Sequence, residues 1–253
     1  MEPKAIGAIA KDRGFPAVAL CDRIGLFASM AFDDGCRANG VQPITGCFLR
    51  VARPNGDEKI KPTLDWLALY AQNEQGYENL CKLVSASHLD RPIELDAHVP
   101  IEMLARHNDG LLALTGGGEG ALARLIAEEQ QSEAESYLSH LQDYFPERLY
   151  IELSRREDPV EVAAENGLIA LALDRNIPLV ATNPSCYAEP DFAEAHDVMT
   201  CIAASAYVEN DDREKPSSHL WMKSELVMED LFSDIPEAIE NTLVVAQRCA
   251  TSP

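Results

Sequence analysis

No apolar run in this 253-residue chain reaches the roughly 18 residues that a membrane-crossing helix needs, so no membrane span is expected. The first fifteen residues, MEPKAIGAIAKDRGF, carry charges inside their apolar pattern, which excludes the uninterrupted stretch of a secretory signal. Basic residues are scarce: 21 Lys and Arg against 42 Asp and Glu leave a net charge of -21, a field that repels polyanions and argues against a large DNA or RNA footprint on this segment. The seven cysteines (21, 36, 47, 81, 186, 201 and 249) stand singly, with no Cys-x-x-Cys pair and an odd total. That excludes zinc-ribbon spacing and a disulfide framework, and fits a reduced, cytoplasmic setting. There is no tandem repeat and no low-complexity tract.

What is present is an alternation. Short apolar runs at 16–21, 43–51, 66–71, 110–115, 149–153 and 179–181 read as strands, with helical patterns between most of them at 3–13, 26–39, 76–88, 101–106, after Gly120, 132–144 and 159–174. The 53–62 interval is instead a loop rich in Pro, Gly and charge, and 89–100 is irregular. Strands separated by helices predict parallel β/α units and a barrel or barrel-like sheet, and 253 residues suffice for one such domain. The predicted strands end in polar or glycine-rich tips: Asp22-Arg23, Cys47-Phe48, Gln72-Asn73, Thr115 to Gly118, Ser154 to Glu157 and Asn183 to Cys186. Parallel pairing would gather these tips on one face, where α/β proteins bind ligands. Beyond Val208 an acidic, exposed loop at 209–218 precedes two helices at 224–232 and 236–249. The chain thus divides into residues 1–208 and 209–253.

The stretch IPLVATNPSCYAEPDFAEAHDVMTCIA, from Ile177 to Ala203, concentrates candidate chemistry: a buried strand, a polar tip, then a helix carrying His196 and Asp197. Cys186 and His196 would form a nucleophile and base only if folding brought them together, and their spacing does not require it. The run Gly116, Gly117, Gly118, Glu119, Gly120 opens a helix with free N–H groups and, with Arg155 and Arg156, makes a candidate anion site. A tight strand-to-helix turn is the plainer alternative. Metal chemistry would need converging His, Asp, Glu or Cys. The tips offer Asp22, Asp65, Glu157 and Cys186, but Arg23, Arg155 and Arg156 share the same face. A guanidinium is no ligand, though it can neutralise carboxylates as a cation would.

Several segments then carry a resemblance: Ala17-Val-Ala-Leu-Cys-Asp22, Pro43-Ile-Thr-Gly-Cys47, the run from Ala71 to Ser85 with its Asn-Glu-Gln-Gly-Tyr, Leu179-Val-Ala-Thr-Asn183, Ala195-His196-Asp197, and the closing run from Leu231 to Thr242 with Arg248-Cys249. Together they resemble the amino-terminal PHP (polymerase and histidinol phosphatase) domain of the bacterial replicative DNA polymerase III alpha subunits, over essentially the whole chain. The resemblance implies a distorted (β/α)7 TIM-like barrel whose tips, in active members, bind divalent metals (Mg, Zn or Mn) and hydrolyse phosphoesters. It also implies a parent DNA-directed DNA polymerase, contacts with the proofreading exonuclease and other polymerase III holoenzyme subunits, and DNA binding through the full-length protein only.

Against that pattern the site positions have changed. Asp22 remains, but Arg23, Phe48, Trp66, Gly117 and Arg156 stand at positions where the family places metal-ligating residues, and Pro184 and Cys186 replace its Asp and His. The family's first strand, with its His-x-His, falls before Met1. The expectation is a vestigial site without metal or cofactor, a structural and exonuclease-docking role, and two strand edges that need partners. The alternative is a metal-dependent phosphoesterase or 3′–5′ exonuclease with a site rearranged around Asp22, Asp65, Glu157 and Cys186.

Overall fold

The computed structural model describes residues 1–54, 61–210, 212–213 and 215–251. The middle of the 53–62 loop and positions 211 and 214 of the acidic 209–218 stretch lie outside the described residues. In chain order the elements are α1 Pro3–Asp12, β1 Ala17–Arg23, α2 Ser29–Ala38, β2 Gln42–Ala52, β3 Leu64–Ala71, α3 Glu74–Leu89, β4 Val99–Pro100 and α4 Ile101–Arg106. There follow β5 Leu111–Leu114, α5 Ala121–Ala127, α6 Gln131–Tyr144, β6 Leu149–Leu153, α7 Pro159–Arg175, β7 Leu179–Ala181, α8 Ala193–Ala204, α9 Glu225–Leu231 and α10 Pro236–Arg248. The strands form one curled half-barrel in the order β1-β2-β3-β5-β6-β7, with the two-residue β4 beside β2.

One expectation is corrected by the pairing. β3 runs antiparallel to both β2 and β5, whereas the β1–β2, β5–β6 and β6–β7 pairs are parallel. The cause is the shortness of the 53–62 connection: Ala52 pairs directly with Leu64, so the chain turns back as a hairpin in fewer residues than the crossover that a parallel neighbour requires. The Gln72-Asn73 tip therefore lies at the opposite end of the sheet from the others. Asn73 serves there as the cap of α3, its side chain accepting from the Gly76 N–H at 2.9 Å. It is the start of β3, with Asp65 and Trp66, that joins the tip face.

Period-two alternation divides the strand residues between two layers. Cys47, Leu49, Leu67, Leu69, Leu111, Ala113, Ile151, Leu153, Leu179 and Ala181 face outward into the main core beneath α3 to α7. Ile44, Ala68, Leu112, Leu114, Tyr150 and Val180 face inward and meet Val245 of α10 and Cys249 just after it. This last helix plugs the end opposite the tips. Gln42 Nε2 donates to the Ala246 carbonyl at 2.6 Å and Arg248 Nη1 to the Tyr150 hydroxyl at 3.1 Å.

The half-barrel stays open between β1 and β7, which occupy the two ends of the strand order. The Thr182 N–H bonds to Leu153 and the Ile151 N–H to Pro178, so the intervening Leu179 carbonyl points to the open edge. Asn241 of α10 donates its side-chain amide to that carbonyl at 2.8 Å. A side chain of the closing helix thus satisfies an acceptor that a further strand would otherwise take.

Candidate functional site: the strand tips

Following the inward parity of each strand to its tip brings Arg23, Phe48, Trp66, Gly116, Glu152 and Thr182 to the mouth of the half-barrel. Phe48 and Trp66 stack with ring centroids 5.0 Å apart and planes 10° from parallel. The Arg23 guanidinium lies 4.5 Å from the Trp66 ring and 5.3 Å from Phe48, and Arg50 covers Trp66 at 4.7 Å. Arg23 also donates to both oxygens of Glu119 at 2.8 Å. That pair is substantially exposed, so its contribution lies in the range of about 0–1 kcal/mol for surface ion pairs, and stacking adds a comparable amount.

Deeper in, the charges are paired under burial. Arg156 donates Nε and Nη2 to Glu161 Oε1 at 2.9 and 2.5 Å, and its backbone N–H to Oε2 at 2.9 Å. Both side chains are almost fully enclosed, at 11% and 7% exposure. Arg155 forks onto Glu165 and Asp234, which draws Asp234 below the ordinary carboxylate range. Of the donors in the candidate anion site, the Gly116 N–H already meets the Glu152 carboxylate at 3.0 Å, and both arginines are held by carboxylates. The space among Gly117, Gly118, Glu152, Ser154 and Glu161 amounts to about 10 Å³, at the lower limit for a single water.

Glu152 is the buried carboxylate of the mouth, bonded to the Gly116 N–H and the Thr182 hydroxyl. Its signal in the sequence was a carboxylate in the middle of the apolar strand LYIEL, where a charged residue needs partners. It accepts from the Thr182 hydroxyl at 2.6 Å, and Thr182 in turn meets Ser154 Oγ at 2.9 Å. Burial raises its pKa above the usual glutamate value, while Thr182, Arg156 and the Gly116 N–H pull it partly back. The unfolded chain therefore gives up this proton at lower pH than the native chain. Glu152 favours the native state most below the ordinary glutamate range, and that contribution is lost as pH rises through the native value. Glu152→Gln is expected to gain stability relative to wild type as pH rises from about 4 toward neutrality. Parallel denaturation profiles for the two proteins across that window would contradict this.

The four residues of the rearranged-site alternative do not converge. Asp65 points outward and is clamped by Arg53 at 2.5 Å and Arg124 at 2.7 Å. Asp22 accepts the Ala28 N–H ahead of α2, and Glu157 lies against His219 at 3.3 Å. Cys186 is exposed, its backbone bonded to Leu220, while His196 packs its ring on Tyr187 with centroids 5.3 Å apart. Among the described residues no three of His, Cys, Asp and Glu come together in a way that could hold a metal ion. Guanidinium, indole and phenyl groups at the mouth are no metal ligands, and its carboxylates are already engaged, Glu119 by Arg23 and Glu152 by Thr182 and the Gly116 N–H.

A strap from residues 217–223, with no signal in the sequence, closes the β6–β7 side. Ser217 Oγ donates to the Arg156 carbonyl at 2.9 Å, Tyr187 donates its hydroxyl to Ser218, and the Lys223 N–H reaches Asn183 Oδ1 at 2.7 Å. Arg13 ties the strap down through the Met222 carbonyl. The Lys223 ammonium is enclosed, donating to the His219 carbonyl at 2.8 Å. Burial lowers its pKa and Arg156 adds to the effect, while Glu161 opposes it.

A curled β/α half-barrel with inward-facing residues collected at one mouth defines the class, and the family model for the PHP domain matches residues 1–156. The chain belongs to the PHP domain family. Among its relatives are DNA polymerase III subunit alpha of Caulobacter vibrioides, 40% identical over 97% of this chain and 22% of that protein, and of Rickettsia bellii, 34% identical over 95% and 20%. The Pseudomonas aeruginosa subunit is 31% identical over 93% of the chain and 20% of its own length. The chain spans about a fifth of the length of the curated relatives it matches. A solved structure from Bifidobacterium adolescentis, provisionally named a metal-dependent phosphoesterase, overlays 72% of this chain and 81% of its own, with a TM-score of 0.42 at 12% identity. No helix among the described residues is long and apolar enough to cross a membrane.

Proposed function

We propose that this chain is the PHP segment of a DNA polymerase III alpha subunit, working in the cytoplasm as a structural and docking module without phosphoesterase activity of its own. The relatives support the polymerase context, and the observation that carries the inactive reading is the mouth itself. Arg23 lies over Trp66 and on Glu119, while Arg156 is buried against Glu161, so internal guanidinium groups meet the charges there. Asp22, Arg23, Phe48, Trp66, Gly117, Arg156, Pro184 and Cys186 are on this reading the positions of a dismantled metal site. Residues 209–253 are the segment leading toward the polymerase core. The proofreading exonuclease subunit is the partner this module docks, and DNA is contacted by other parts of the full-length protein.

The test is hydrolysis. With Mg²⁺, Mn²⁺ or Zn²⁺ supplied, the purified chain is expected to release no phosphate from a phosphomonoester and no nucleotide from a DNA 3′ end. Turnover that a chelator abolishes and Asp22→Ala removes would favour the enzyme alternative.

A further inference from the structure

The twelve-residue helix α8 is amphipathic in the wrong sense for a monomer in water. Of its residues only Cys201 is buried. Phe192, immediately before the helix, and Ala195, Met199 and Ile202 within it follow the 3-4-3 spacing that places side chains along one helical face, with Val198 and Ala203 at its sides. Phe192, Met199 and Ile202 are 59%, 66% and 73% exposed, and Tyr207, just past the helix end, is 79% exposed. The opposite side is the one that faces the protein: Cys201 packs inward and Asp197 is bound by Arg213. No charged residue interrupts the outward stripe, and a contiguous exposed apolar face of this kind marks an interaction surface.

The charge around it selects the occupant. Asp191 and Glu194 are exposed at one end of the stripe and Glu209 at the other, on a chain of net charge -21. Two such chains repel one another, so a second copy is disfavoured, and an anionic surface is disfavoured for the same reason. We infer that the outward face of α8 docks a partner polypeptide presenting apolar side chains flanked by lysine or arginine, in the manner of an amphipathic helix. The Phe192–Met199–Ile202 row supplies the apolar anchors and the acidic ends supply steering. This inference stands whether or not the strand tips are catalytic.

The experiment uses the purified chain and two labelled helical peptides with the same leucine stripe, one with lysine and the other with glutamate on its polar face. Fluorescence anisotropy is expected to show binding of the lysine peptide, weakening with salt, and none of the glutamate peptide. Met199→Ser with Ile202→Ser should weaken binding about tenfold or more, while Leu173→Ser, at an exposed leucine on α7, should leave it unchanged. Equal binding of the two peptides would overturn the inference. So would retained affinity in the Met199 and Ile202 double variant, or dimerisation of the chain through this face in sedimentation.

Discussion

Arg156→Ala is expected to destabilise the chain by about 3–5 kcal/mol, the usual cost of stranding one member of a buried ion pair. Glu161, 7% exposed beside the intact arginine, would keep the backbone N–H of residue 156 but lose both guanidinium bonds. The Lys223 ammonium acts on the same pair and would relieve part of the penalty, which favours the lower end of that range. Arg156→Lys should rescue little, because an ammonium cannot present the planar fork that Glu161 accepts. A double variant, Arg156→Met with Glu161→Gln, removes both charges and keeps an acceptor for the backbone N–H, so it should recover most of the loss. Urea denaturation measures all three. A single variant within about 0.5 kcal/mol of wild type, the range for an ordinary surface substitution, would show that the pair does not hold the mouth together.

Gly116→Ala carries the second large effect, about 2–5 kcal/mol, from two sources. The residue has φ +89°, in the left-handed region that costs a residue with a Cβ about 1–2 kcal/mol. Its Cβ would also fall 2.3 Å from the Trp66 carbonyl oxygen, a backbone atom that cannot swing aside, and overpacking of that kind costs about 1–3 kcal/mol more. Gly14 separates the two terms. It has φ +83° but nothing within 4 Å of a built Cβ, so Gly14→Ala should show the conformational cost alone. Equal losses at the two positions would mean that the close approach of β3 to the 116–120 turn contributes nothing.

The strands were legible because their apolar runs are short and bounded, and each predicted strand is present within a few residues. The direction of β3 was not, since a run such as Leu-Ala-Leu-Tyr carries no arrow; only the absence of a helix across 53–62 could have shown it. At the site, Arg23, Phe48, Trp66 and Arg156 were identified from local sequence and family resemblance. How they are neutralised was legible only for Arg156, whose partner Glu161 is five residues on; Glu119 and the 217–223 strap reach Arg23 and Arg156 across about sixty to a hundred residues. Asp65 belonged only to the rearranged-site alternative. Its place in the strand alternation turns it outward to Arg53 and Arg124, away from the mouth. The outward stripe of α8 was read only as the end of the 177–203 stretch, since sequence alone does not tell which face of an amphipathic helix meets the protein.

The central claim is that the mouth is neutralised by its own arginines and needs no metal. Elemental analysis of the chain purified without chelator, followed by thermal unfolding with and without EDTA, tests it most directly. The account predicts substoichiometric zinc, manganese and magnesium and the same Tm in both conditions. Tightly bound metal at one or more ions per chain, with a Tm that falls on chelation, would contradict it.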